Sequence, residues 1–154
     1  MHQLPHHLAF QHAGLKGRVV HGSTTEVSGY VFASTPWEEK AKHLALANAD
    51  FILGGHCGLP FNQQKEEKYW LNPGVIGMPA NDGTTRVWYM LLDDTTGFNF
   101  EHHSFEYDHL TAAARMREHK LPAAYALTLE TGLWDNCEIL PPAETAAQGQ
   151  RISF

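Results

Sequence analysis

Cysteine is scarce. Only Cys57 and Cys137 occur in 154 residues, too few for a disulfide framework. No apolar run approaches the roughly 20 residues that a membrane helix needs. The start, MHQLPHHLAF, lacks the basic end and long apolar stretch of a signal peptide. Basic residues are few as well: 11 Lys and Arg stand against 17 Asp and Glu, a formal charge of −6. With no dense basic stripe, a nucleic-acid partner is not expected. No internal repeat or dividing linker is evident. These absences leave a soluble cytoplasmic protein as the expectation, and 43% apolar residues suffice for one core in one domain.

What the chain has in excess is histidine, eleven in all. Neutral imidazole offers a lone pair near pH 7 and is the commonest metal ligand. Abundance alone assigns nothing. His2, His6, His7 and His12 crowd the start without a ligand spacing and read as surface or turn residues. His43 and His119 fall on helices with no partner at i+4 and read as surface. His102 and His103 are adjacent on a strand, so they face opposite sides.

The segment HLAFQHAGLKGRVVHGS reads as two strands turned at Gly14 to Gly17, followed by a polar surface loop over STTEVSGYVFAST. A helix is expected over TPWEEKAKHLALANAD, with Ser34 or Thr35 as cap and Pro36 in the first turn. Its buried face is expected to carry Trp37, Ala41, Leu44 and Ala45. FILGG follows as a short buried strand. KYWLNPGVIGMP, TTRVWYMLLDD and GFNFEHHSFEYD then read as strands of an antiparallel meander, separated by the turn-like ANDG and DDTTG. Asp108 should cap a helix that stops at Leu121-Pro122, and Gly132 should end a second one. Residues 1–142 form the expected domain, and residues 143–154 have so little to bury that they are expected to fray.

Two histidines share one context. His21 follows the strand RVV and His56 follows FILGG. Loops at the carboxyl ends of strands are where α/β folds assemble sites, and the neighbouring glycines let an ion or ligand approach the backbone. Two such histidines serve either as metal ligands or as hydrogen-bonded structural residues, and the pattern leaves both open.

The order of motifs says more. VVHGS, a helix, ADFILGGHCGLPF and YWLNPGVIGMPANDGTTRVWYMLLD together resemble the C-terminal half of calcineurin-like metallophosphoesterases, from about Arg18 to Asp93. In that family a strand-end His-Gly precedes a Gly-His-x-His loop leading into Pro-Phe, an Asn-Pro-Gly-Ser-x-Gly turn and a strand ending in Leu-Asp. The resemblance implies an α/β fold, a partial αββα sandwich with a mixed sheet, an antiparallel meander and C-terminal helices. It also implies divalent metal ions, with His21 and His56 as ligands of the same one of two. Manganese, iron, zinc and nickel all suit imidazole with carboxylate. Gly58 stands where the second histidine of the loop belongs, so the other metal site is weakened. Cys57 occupies the variable position between them, and its side chain should point away from its neighbour's. Asn72, with Gly58 and Cys57, marks a candidate rim; the expected job of Asn72 is first to set the Asn72-Pro73-Gly74 turn. Asn81 and Asp82 read as a turn first and a rim second.

The family's Asp-x-His, Gly-Asp and Gly-Asn-His motifs, which supply the bridging carboxylate and the general acid, are not in this sequence. The expectation is a C-terminal part of a phosphoesterase, acting on phosphomonoesters or diesters, that is inactive alone. Its partner would be the N-terminal half, or a second copy covering an exposed apolar sheet surface. A non-catalytic remnant that binds a partner is the alternative, and a small α/β binding domain with a structural histidine pair is a third reading.

Overall fold

The computed structural model describes residues 5–154, so His2 lies outside the described residues. Strands β1 (His7–His12) and β2 (Leu15–Val20) form an antiparallel hairpin. The turn is tighter than expected: Ala13 and Gly14 make it with φ of 49° and 78°, and Gly17 lies inside β2. Gly17 is needed there. A Cβ on it would come within 2.3 Å of the Phe51 ring and 2.8 Å of the Phe10 ring.

Helix α1 (Trp37–Leu46) leads through Asn48, at φ 47°, into β3 (Phe51–Gly54). Its start corrects the expected cap, since no side chain caps it. Thr35 Oγ1 instead accepts the Phe32 N–H at 2.9 Å, and the Ser34 hydroxyl donates to Glu144 at 2.6 Å. Of the expected face, Leu44 is buried, Trp37 and Ala41 are half-buried, and Ala45 is exposed. The residue missed is Lys40, fully buried one turn before Leu44. Its ammonium donates to Ala33 O at 3.0 Å, to Thr35 O at 2.9 Å and to Gln63 Oε1. All three of its donors are thereby satisfied.

Strands β4 (Phe61–Lys65) and β5 (Lys68–Asn72) complete a five-stranded sheet in the order β1-β2-β3-β5-β4. β2, β3 and β5 run parallel, and β1 and β4 run antiparallel at the edges. The polar β4 carries no strand-like pattern, and its turn is Glu66-Glu67, both at positive φ, where Asn-Gly is usual. The antiparallel region is thus two hairpins. One is β4–β5. The other is β6 (Val87–Asp93) with β7 (Asn99–Phe105), a separate two-stranded sheet. The ANDG segment therefore joins two sheets and is not a hairpin turn between paired strands.

Register assigns the two faces. Val20, Ile52 and Trp70 pack with Leu44 and Ala47 on the helix side. Phe51 and Tyr69 face the other way, where Phe98 at the start of the β7 hairpin arm packs on both, with ring centroids 4.7 and 4.8 Å away. Further along that face the row Leu8, Val19, Leu53 is only partly covered, with Leu8 56% exposed.

Helices α2 (His109–Glu118) and α3 (Ala123–Thr131) pack on each other through Ala113, Ala126 and Leu129. Asp108 caps α2 by accepting the Thr111 N–H, and Gly132 ends α3 at φ 72°, both as expected. The segment 143–154, expected to fray, has partners in the structure. It begins in the short helix α4 (Pro142–Ala146), and Asn81 and Asp82 hold the residues beyond that helix. Gly149 N–H donates to Asn81 O at 2.9 Å, and Ile152 N–H donates to Asp82 Oδ2 at 3.1 Å. Phe154 stacks on His102 with centroids 3.8 Å apart. The physical reason is that buried turn carboxylate and amide groups need partners, and the tail supplies them without a large apolar surface. Among the described residues, no helix is long and apolar enough to cross a membrane.

Two buried groups make stability depend on pH. Burial lowers the Lys40 pKa from 10.5 to about 8. Between those values the unfolded chain binds the extra proton, so stability rises with pH across that window. In urea unfolding from about pH 7.5 to 10.5, the stability of the protein relative to Lys40→Met should rise with pH, since the opposing effect of the buried Cys57 thiol is common to both. Burial raises the Asp82 pKa, but bonds from Thr84, Arg86 and the Ile152 N–H together outweigh it and hold the carboxyl below its usual range. That contribution is complete above the unfolded-state pKa and is lost as pH falls through the folded one. Proteolytic cleavage near residue 150 should therefore increase at acid pH, and Asp82→Asn should show the increase already at pH 7.

Candidate functional site

The parallel strands β2, β3 and β5 all end on one side of the sheet, and each delivers a polar residue there. The β2–β3 ladder extends one bond beyond the strands: Gly55 N–H donates to His21 O at 2.9 Å. That bond sets the two loops side by side. His56 Nδ1 then lies 3.0 Å from His21 Nε2, with ring centroids 4.8 Å apart and tilted by 57°.

The loop geometry explains the glycines. His56 takes φ 59° and Gly58 takes φ 72°, so the chain reverses tightly here, and Cys57 N–H bonds Gly55 O at 2.7 Å. A Cβ on Gly22 would lie 2.5 Å from Gly29 O and 2.6 Å from Val27 O. Only glycine lets the loop after His21 fold back so closely. Tyr30, which leaves that loop, stacks on His56 with centroids 4.5 Å apart at 23°.

The reversal also turns Cys57 inward. It is 1% exposed, and burial pushes its thiol up to about 11. A group held as the neutral thiol is a poor metal ligand. Asn72 lies beneath the loop, fully buried. Its Nδ2 donates to Gly55 O at 3.2 Å and to Cys57 Sγ at 3.1 Å, while its Oδ1 accepts the Gly74 N–H at 2.9 Å. Asn72 thus ties the site loop to the next turn. From β7, the His102 Nε2–H donates to Asn72 O at 2.8 Å, docking the second sheet on the same point. His103 points the other way, to Glu101, so these two histidines do face opposite sides.

The structure brings His21 and His56 together and keeps other sequence candidates apart from them. Asn81 and Asp82 bind the tail, Trp134 and Arg86. His43 is half-buried rather than a free surface residue, bonded to Thr24 Oγ1 at 2.7 Å. His12 lies in β1, edge-on to Phe98. Two site neighbours were missed: Tyr30, and Trp134, which lies 3.4 Å from where a Gly58 Cβ would be. Neither carries a local motif: Tyr30 returns to the site at the far end of the His21 loop, and Trp134 reaches it from beyond α3.

The pair fits half of a metal shell. Two nitrogens bound to one ion at about 2.1 Å, at right-angled to tetrahedral geometry, lie roughly 3.0–3.4 Å apart. The observed separation is 3.0 Å, which is equally that of a hydrogen bond in which one ring N–H meets the other ring's lone pair. Burial first, and the neighbouring His21 second, lower the His56 pKa. Among the described residues, no group of three or more His, Cys, Asp or Glu side chains converges as a full metal shell would require. The loop itself depends on Asn72. Asn72→Ala would leave the part-buried Gly74 N–H without its partner and remove one of the two donors to Gly55 O, and should cost about 1–3 kcal/mol in urea unfolding.

No protein-family model matches the sequence, and no curated protein matches it either. Solved structures do match. One is a hypothetical protein from Pyrococcus horikoshii OT3, with a TM-score of 0.73 and 20% identity over 86% of this chain and 52% of that one. Another is a metallophosphoesterase from Sphaerobacter thermophilus, with a TM-score of 0.72 and 22% identity over 86% of this chain and 59% of that one. The chain spans between half and three-fifths of the length of these structures. At such identities it is the fold that is shared, and this chain has the calcineurin-like metallophosphoesterase fold over the part that it spans.

Proposed function

We propose that this chain is the C-terminal part of a metal-dependent phosphoesterase, hydrolysing phosphomonoesters or diesters once a complementary N-terminal half completes its dinuclear centre. The observation that carries this reading is the convergence of His56 Nδ1 and His21 Nε2 at 3.0 Å. The partial span of similar structures supports it, as does the thinly covered row Leu8, Val19, Leu53 beside the site. An apolar sheet surface left open next to half a site is where a missing layer would pack.

In this reading His21 and His56 hold one divalent ion, manganese, iron, zinc or nickel, as neutral imidazoles. When bound, the metal pair would neutralise phosphate charge and supply a nucleophilic hydroxide. The chain's own contribution is positional. The Gly55–His21 backbone bond and Asn72 hold the two loops, and the missing side chains of Gly54 and Gly58 make room for Trp70 and Trp134 against them. The carboxylates and the leaving-group acid would come from the complementary half.

A specific observation favours a second reading. Gly58 supplies no ligand, and Trp134 lies in van der Waals range of the space its side chain would enter. A non-catalytic domain that binds a partner through the open sheet surface fits this equally. Titration with Zn²⁺ or Mn²⁺ should show one weakly held ion per chain, lost in His21→Ala and in His56→Ala, and no hydrolysis of bis-p-nitrophenyl phosphate. Mixing with a chain carrying the absent Asp-x-His, Gly-Asp and Gly-Asn-His motifs should then restore hydrolysis. Complex formation without hydrolysis would select the binding domain. Two tightly held ions and hydrolysis by this chain alone would sink the half-site account.

A further inference from the structure

Tyr30 belongs to no motif, yet it is the aromatic side chain stacked against His56. Its ring lies nearly parallel to the imidazole, 4.5 Å away at 23°, and nearly parallel to Phe32 as well, 5.7 Å away at 16°. Phe32 is 4% exposed and part of the core. Tyr30, itself 43% exposed, thus links a core ring to His56, which in turn meets His21. His56 needs such support. It sits at φ 59° on a reversal, Gly55 and Gly58 beside it have no side chains, and Cys57 turns into the core. The Tyr30 loop is itself closed: Ser23 and Gly29 N–H both donate to Glu26 O, at 3.0 and 3.1 Å, and the Ser23 hydroxyl accepts the Glu26 N–H at 3.0 Å. The backbone delivers Tyr30 to one place.

We propose that Tyr30 is a positioning residue of the His21–His56 pair, fixing the plane of the His56 ring so that Nδ1 faces His21 Nε2. The inference deepens the metal-binding reading above and rests on it for the ligand. A stacked aromatic limits imidazole rotation through ring-ring packing, and residues that orient a metal-bound histidine are commonly worth 10- to 100-fold in affinity. The phenolic oxygen plays no part in this role, so phenylalanine should serve.

The test compares the full chain with Tyr30→Phe and Tyr30→Ala. In metal-free protein, NMR should show nuclear Overhauser contacts between the His56 and His21 ring protons, retained in Tyr30→Phe and lost in Tyr30→Ala. Titrated with Co²⁺, Tyr30→Ala should bind about 10- to 100-fold more weakly, with an altered visible spectrum, and Tyr30→Phe should bind within about twofold of the parent. The proposal is overturned if Tyr30→Ala keeps the His56–His21 contacts, or if it loses them and binds Co²⁺ unchanged. A parent chain that binds no Co²⁺ would remove the metal reading instead, and the His56–His21 contacts alone would then uphold or overturn the positioning of His56. Tyr30→Phe also separates a general loss of folding from loss of the stack, since it keeps the contact with Phe32.

Discussion

The hydrogen bond from Gly55 N–H to His21 O, one step past the end of the β2–β3 ladder, is the constraint on which the site depends. Parallel pairing puts the two strand ends at the same height and spacing, and this bond carries the pairing into the loops. Without it, His21 and His56 would be two residues on separate turns. With it, two ring nitrogens meet at 3.0 Å. Parallel strands need buried faces on both sides, and α1 and the β6–β7 hairpin supply them. The incomplete cover over Leu8, Val19 and Leu53 lies at the end of the sheet where the site forms.

Buried polar groups organise the remainder. Asn72 uses its amide on the site loop and its carbonyl oxygen on the following turn, while its backbone carbonyl receives His102. Lys40 closes the start of α1 onto β4, and Asp82 with Asn81 draws in the tail. Each is costly to bury, and its bonds offset that cost. The three clusters therefore act as fixed points between elements that share little apolar surface.

Much of this was readable before the fold was known. Asp108 and Gly132 bound their helices by capping chemistry that acts within a few residues. Phe51–Gly54 announced a buried strand by its unbroken apolar run, and the His-Gly and Gly-His motifs marked both loops. The misses share one cause, which is that their partners are distant in sequence. Lys40 looks solvated until Ala33, Thr35 and Gln63 surround it. β4 is polar and turns on Glu66-Glu67, so it becomes a strand only because β5 offers a ladder. The tail looks free until Asn81 and Asp82 need it, and Tyr30 reaches His56 across 26 residues of chain.

The sequence by itself determined the start of α2, the end of α3, the buried parallel strand, the two strand-end histidines and the glycine at position 58 that brings no ligand. Those are local matters of backbone preference, capping and residue chemistry. Tertiary structure alone decided that the histidines face one another, that Cys57 turns into the core, that Asn72 works as a brace and that Tyr30 backs the site. Each of these depends on which strand ends become neighbours, and strand pairing is a long-range choice that no short stretch of the chain encodes.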